Sequence, residues 1–155
     1  MIYIIDTSSF RELERYYQSI FVTFWTLFQD AVDSGEVVSV SEVWRELGAC
    51  PETNVIEWGK NNPSICRRPT SEETEFVGHI FTVPHFSQLI SAKAQTTGQP
   101  VADPFLIAAA KIYGGTVVTE ERFKPNAAKI PNVCAHFGIE CTNLQGFLQA
   151  KGWSF

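Results

Sequence analysis

The chain has 155 residues, with 12 Lys and Arg against 17 Asp and Glu, a formal net charge of −5 and 45% hydrophobic residues. Charged residues at 19% with so little net charge are too few for a disordered chain, and 13% aromatic residues supply a core, so the composition predicts one globular domain over residues 1–155. The acidity excludes a protein that coats duplex DNA or anionic membrane by charge alone; any nucleic-acid role needs a local site.

The amino terminus, Met1-Ile2-Tyr3-Ile4-Ile5-Asp6, has no basic n-region and no apolar run of signal-peptide length. The most hydrophobic later stretch, residues 20–28, is interrupted by Thr23 and Thr26 and is far short of a membrane span. Both features predict a cytoplasmic protein with no membrane association. Residues 2–5 read as a first buried strand. A helix follows in which Phe21, Phe24, Trp25, Phe28 and Val32 keep the 3.6-residue period, with Gly35 as its stop. Residues 37–40 form a second strand, and Ser41 is placed to cap the next helix.

Residues 43–98 read as largely helical. Ser71-Glu72-Glu73-Thr74-Glu75 has the acidic first turn that suits a helix dipole, and Phe86, Leu89, Ile90 and Lys93 mark another amphipathic helix ending near Gly98. Asp103 as N-cap and Pro104 at the first helical position open a helix that closes at Gly114-Gly115. Strands follow at 116–119 and 139–142. Short β-branched runs alternating with helices predict a three-layer α/β/α fold with a mostly parallel central sheet.

Ligands of open parallel sheets bind beyond the carboxyl ends of the strands, so residues directly after each run deserve weight. Asp6 follows the first strand, Glu42 the second, and Glu120 and Glu121 the third; Asp103 reaches the same edge if its helix runs antiparallel to the strands. Each acid alone can be a cap or a solvated first-turn charge. Gathered together they repel one another unless a cation sits among them, and an all-oxygen set without His or Cys suits Mg²⁺ or Mn²⁺.

Four segments resemble the PIN-domain nucleases, and more narrowly the PIN-like group that includes VapC-type toxins and the domain of unknown function 4411. They are Ile4-Ile5-Asp6-Thr7-Ser8-Ser9-Phe10, Val38-Ser39-Val40-Ser41-Glu42-Val43, Ala102-Asp103-Pro104-Phe105-Leu106-Ile107-Ala108-Ala109-Ala110 and Val117-Val118-Thr119-Glu120-Glu121. The resemblance implies a PIN-like fold and metal-ligand or catalytic roles for Asp6, Glu42, Asp103 and a fourth acid. Glu121 aligns best with that fourth position and Glu120 is the alternative. Ser8 and Thr119 match small hydroxyls that orient carboxylates or water, or else serve as a cap and an ordinary strand-end threonine. The implied activity is endonucleolytic hydrolysis of RNA with Mg²⁺ or Mn²⁺ as the type II toxin of a toxin–antitoxin pair, which brings a cognate antitoxin and a homodimer as partners. Arg11, Arg15, Arg45, Arg122 and Lys124 lie near the acids in sequence and are candidate RNA contacts; Arg67-Arg68 is a further one, with a solvated loop as its plainer reading.

Rival chemistries find less support. His79, His85 and His136 have no triad or HExxH setting, and no phosphate-cradling glycine loop occurs. Cys134, His136 and Cys141 match no zinc-finger spacing, so all four cysteines, Cys50 and Cys66 included, read as free thiols. A magnesium-dependent phosphatase with Asp6 as nucleophile wants an aspartate at position 8, where Ser8 stands. A PIN-like interaction module without strong catalysis remains the alternative of a different class.

Overall fold

The computed structural model describes residues 1–48, 53–90 and 101–155. Strands β1 (Tyr3–Ile5), β2 (Val37–Val40), β3 (Cys66–Arg67), β4 (Thr116–Val118) and β5 (Glu140–Thr142) form one sheet in the order β3-β2-β1-β4-β5. Every pairing is parallel. Strands β1, β2 and β4 are buried along their whole length, as strands covered by helices on both faces must be. The single hydroxyl inside β2, Ser39, is satisfied by donating to the Ile5 carbonyl at 2.7 Å.

The helices are α1 (Thr7–Leu13), α2 (Val22–Asp33), α3 (Ser41–Gly48), α4 (Asn54–Lys60), α5 (Ser71–Ile80), α6 (Asp103–Tyr113), α7 (Ile130–Phe137) and α8 (Leu144–Lys151). They flank the sheet as a three-layer α/β/α sandwich, as the alternating pattern predicts. Helix α6 lies along β1, β2 and β4 with α5 and α7 against it. Helix α2 packs on β2 and buries Phe24, Trp25 and Phe28, the last two against Trp58 of α4, and Phe24 meets Trp153 just past α8 with ring centroids 6.2 Å apart. Helix α5 is opened by a reciprocal cap: the Thr70 hydroxyl accepts from the Glu73 N–H, and the Glu73 carboxylate accepts from the Thr70 N–H.

Several expected boundaries move. The edge strand β3 is an addition; two half-buried residues carry no periodic signal. Ser41 is the first residue of α3 rather than its cap, because the helix starts directly at the end of β2. Ala102, not Asp103, occupies the cap position of α6, with no side-chain capping bond, which leaves the Asp103 carboxylate available elsewhere. The helix expected across 86–98 is a 3-10 helix over Pro84–Leu89 in its described part, where the i, i+3 eclipsing of that helix buries Phe86 and Leu89 together. Lys93, Gly98 and Cys50 lie outside the described residues.

Between α6 and β4 the chain reverses on two glycines. Gly114 takes φ +67°, a left-handed conformation that L side chains resist. At Gly115 the constraint is space: a Cβ there would stand 2.5 Å from Ile4 Cδ1 and 2.7 Å from the Ile2 carbonyl oxygen. Gly115→Ala is therefore expected to lower stability by about 2 kcal/mol in urea denaturation. Gly78→Ala, on an open face of α5, is expected to raise it by about 0.5–1 kcal/mol.

Candidate active site

A sheet ordered 3-2-1-4-5 sends the chain from β1 toward one edge and from β4 toward the other. The connections therefore part between β1 and β4, so the ligand crevice expected of such a sheet falls beyond the carboxyl ends of those two strands. Registers Ile4 to Val117 and Ile5 to Val118 bring Asp6 level with Thr119 at the mouth of that crevice. Asp6 is buried and is the N-cap of α1. Its Oδ1 accepts from the Thr7 N–H at 2.7 Å, and its Oδ2 accepts from the hydroxyls of Ser8 at 2.6 Å and Thr119 at 2.7 Å. Each hydroxyl spends its one proton on Asp6, so the 3.2 Å approach of Ser8 to Thr119 is contact rather than a bond. Three of the carboxylate's acceptor positions are thus used to fix it, and one on Oδ1 remains.

Asp103 enters from the amino end of α6, half-buried at the same edge. Burial, followed by the charges of Asp6, Glu121 and Glu46, pushes its carboxyl up to about 8; among the described residues Lys129 is the cation opposing them. Those neighbours define the cluster. Glu121 follows β4 by three residues and accepts from the Ile130 N–H at 2.8 Å, which holds it at the start of α7. Glu46 accepts from the Thr7 hydroxyl at 2.6 Å and, through its other oxygen, from the Ala102 N–H at 2.8 Å. It ties α3 to the amino ends of α1 and α6 beside the crevice. Sequence reasoning missed both Glu46 and Lys129. The signal for Glu46 was its position four residues after Glu42, on the same helical stripe.

Glu42 and Glu120 are placed differently. Glu42 is buried beside Cys66, whose thiol burial and the Glu42 charge push up to about 12, and it pairs with Arg45 at 3.5 Å. The Glu120 carboxylate turns to the other side of the loop, accepting from the Leu144 N–H at 2.8 Å and the Ser9 hydroxyl at 3.1 Å. It also faces Tyr16, whose hydroxyl is raised first by burial and then by Glu12 and Glu120. Glu120 thus ties the loop after β4 to the first turn of α8, beside the Asn143 N-cap, and Glu120→Ala is expected to cost about 1–2 kcal/mol in a chemical melt.

Of the candidate RNA contacts, Arg11 and Arg15 are exposed on or just after α1, and Arg122 and Lys124 are exposed beyond Glu121. Arg15 stands 4.0 Å from Glu12, a solvated pair of little energetic weight. Arg67 lies 5.4 Å over the Tyr113 ring, whereas Arg68 turns into a separate pocket with Arg45. His136 packs edge-on against Phe86 at 5.1 Å, and Cys66, Cys134 and Cys141 are free.

Among the described residues, no three His, Cys, Asp or Glu side chains already stand close enough to clasp a metal ion. The donor set nevertheless suits a hard divalent cation. Asp6, Glu46, Asp103 and Glu121 offer oxygen only, and Asp103 experiences three like charges against one opposing lysine.

Residues 3–155 match the family described as a domain of unknown function (DUF4411), and the chain belongs to that family. No curated protein matches the chain.

Proposed function

We propose that the protein is a divalent-cation-dependent endoribonuclease that hydrolyses RNA phosphodiesters at the crevice between β1 and β4. The observation that carries this reading is the convergence of Asp6, Glu46, Asp103 and Glu121, from four separate segments, on the switch point of a parallel sheet. The resemblance of the segments around Asp6, Glu42, Asp103 and Thr119 to PIN-domain nucleases supports it further, with Glu46 taken here in place of the Glu42 that the resemblance implies.

Asp6 and Asp103 are the residues placed to hold Mg²⁺ or Mn²⁺ directly, with Glu46 and Glu121 as ligands or as acceptors for its waters. When bound, such an ion neutralises the scissile phosphate and lowers the pKa of an attacking water. The chain's own groups supply the positioning. Ser8 and Thr119 lock the Asp6 carboxylate by donating to one of its oxygens, and Thr119 in turn accepts from the Glu121 N–H at 3.2 Å, which couples the two acids through one hydroxyl. Thr7 and the Ala102 amide orient Glu46 in the same way. Lys129, whose charge acts on Asp103, draws the phosphate backbone toward the acids; Arg11, Arg15, Arg122 and Lys124 extend that attraction over the surrounding surface.

In the finer reading the enzyme is the toxin of a type II pair, silenced in the cytoplasm by a cognate antitoxin and assembled as a homodimer. Exposed Ile20, Phe21, Val22 and Phe155 support a protein partner. Of the aromatics beside that patch and at the carboxyl terminus, Tyr17 and Phe155 are exposed, whereas Tyr16 and Trp153 pack against the core. Among the described residues no helix is long and apolar enough to cross a membrane.

The test is incubation of the purified protein with single-stranded RNA in Mn²⁺, Mg²⁺ or chelator. Cleavage in Mn²⁺ or Mg²⁺ that stops with chelator is expected. Intact RNA in every condition would overturn the nuclease reading and favour a PIN-like binding module.

A further inference from the structure

A second pocket opens on the same edge of the sheet, beyond the carboxyl ends of β2 and β3. It encloses about 360 Å³, within the range of small-ligand sites, and its walls include Ser41, Trp44, Arg45, Lys60, Asn62 and Arg68. Three of those residues are cationic and no Asp or Glu lines the space among the described residues. That imbalance stands out in a chain of net charge −5.

The pocket is built rather than incidental. Trp44 is half-buried against α4, where Gly59 makes room for the indole: a Cβ at that position would overlap the ring. Its remaining surface is part of the pocket wall. Arg68 comes to the pocket because β3 alternates its side chains, sending Arg67 to the Tyr113 ring and the next residue to the other side. Arg45 is tethered by Glu42 at 3.5 Å yet keeps two-thirds of its side chain exposed, so it remains open to an anion. An aromatic face beside cationic groups recognises a base and its phosphate together.

Position decides which molecule carries that base. The pocket lies over the gap between β2 and β3, two strand spacings from the gap between β1 and β4, a separation of about 10 Å. Helix α3 stands between the two places, contributing Glu46 to one side and Trp44 with Arg45 to the other.

We propose that this pocket is a nucleotide subsite that holds one unpaired base of a single-stranded RNA by stacking on Trp44, with Arg45, Lys60 and Arg68 on the adjoining phosphates, to one side of the bond that is cut. The inference rests on the proposed nuclease function for its ligand. It requires a single strand, because a base inside a duplex has no free face to stack.

Binding of a short fluorescent single-stranded RNA is measured by anisotropy in an Asp103→Asn background, with cleavage by the otherwise unaltered chain measured in parallel. Trp44→Ala is expected to weaken binding about 10-fold or more, and Trp44→Phe to restore most of it. Lys60→Ala and Arg68→Ala are each expected to reduce the slope of log affinity against log salt by about 0.7, an effect that a purely structural role would not produce. Circular dichroism checks the fold of each variant; if Trp44→Ala does not fold, the Phe variant and the two salt slopes decide. RNA binding unchanged in all variants overturns the subsite and leaves the nuclease reading standing. RNA binding lost in these variants while the unaltered chain cleaves nothing retains the subsite and fails the nuclease reading. Adenosine monophosphate competing as strongly as the RNA assigns the pocket to a free nucleotide and overturns its role as part of the substrate path.

Discussion

Asp103→Asn is expected to abolish cation-dependent RNA cleavage while making the cation-free protein more stable. Burial first, and then the charges of Asp6, Glu121 and Glu46, raise the pKa of this carboxyl from 3.8 to about 8, with Lys129 opposing them among the described residues. The folded protein therefore holds a proton on Asp103 that the unfolded chain has released, across the window from about pH 4 to about pH 8. Stability contributed by that neutral carboxyl is present below pH 4 and is lost as pH rises through 8. An asparagine carries no such dependence. The melting temperature of the variant should match that of the unaltered protein near pH 4, exceed it by a margin that widens up to about pH 8, and keep that margin at pH 9, read by thermal scans in chelator. Added Mn²⁺ should reverse the ranking, because an ion that binds the folded state at 100 times its Kd contributes about 2.7 kcal/mol. Cleavage should fall by at least about 10³-fold, the scale of several kcal/mol of lost charge stabilisation. A variant that is no more stable than its parent at pH 9 would mean that neither burial nor the neighbouring acids penalise the charged carboxylate, and one that still cleaves would remove Asp103 from the machinery.

Such a balance of function against stability is visible only once the fold has brought the acids together, and the sequence disclosed it unevenly. Strands β1, β2 and β4 are legible because parallel strands are covered on both faces and must be apolar throughout. Asp6 and Asp103 follow from that reading, one from the end of a strand and the other from the Asp-Pro start of a helix that Gly114 closes. Edge strand β3 is not legible, since it has two residues and little burial to impose a pattern. Glu120 and Glu121 cannot be separated by sequence either. Their difference lies in which backbone N–H each carboxylate meets: Leu144 at the start of α8 for one, Ile130 at the start of α7 for the other. Both partners come from later segments, so the choice is tertiary. Lys129 reaches the crevice for the same reason, through the return of the chain to α7.

The second acid depends on the rotation of α3, and its test carries the other large effect. Val43 and Leu47 are buried, which sets the helix phase, while Glu42 and Glu46 are one turn apart on a neighbouring stripe. Because α3 begins at the very end of β2, its first turn stays over β2 and β3, where Glu42 meets Arg45 and Cys66. The second turn reaches α1 and α6, where Glu46 meets Thr7 and the Ala102 amide. Glu46→Gln is therefore expected to lower cleavage by about 10- to 100-fold, the loss typical when a group that orients a metal site is removed. It should also cost about 1 kcal/mol of stability, since an amide has one acceptor oxygen and cannot satisfy both donors. Glu42→Gln gives up a pair with a largely exposed arginine, worth about 0–1 kcal/mol, and keeps an amide oxygen for the Ser41 hydroxyl that donates to Glu42 Oε2 at 3.1 Å, so cleavage should stay within about twofold of the parent. Initial rates on one RNA at saturating Mn²⁺, with urea melts of both variants, separate the two positions. The reverse ranking, with Glu42 essential and Glu46 dispensable, would require the first turn of α3 to face the crevice and would move the substrate path to the β2 side of the sheet.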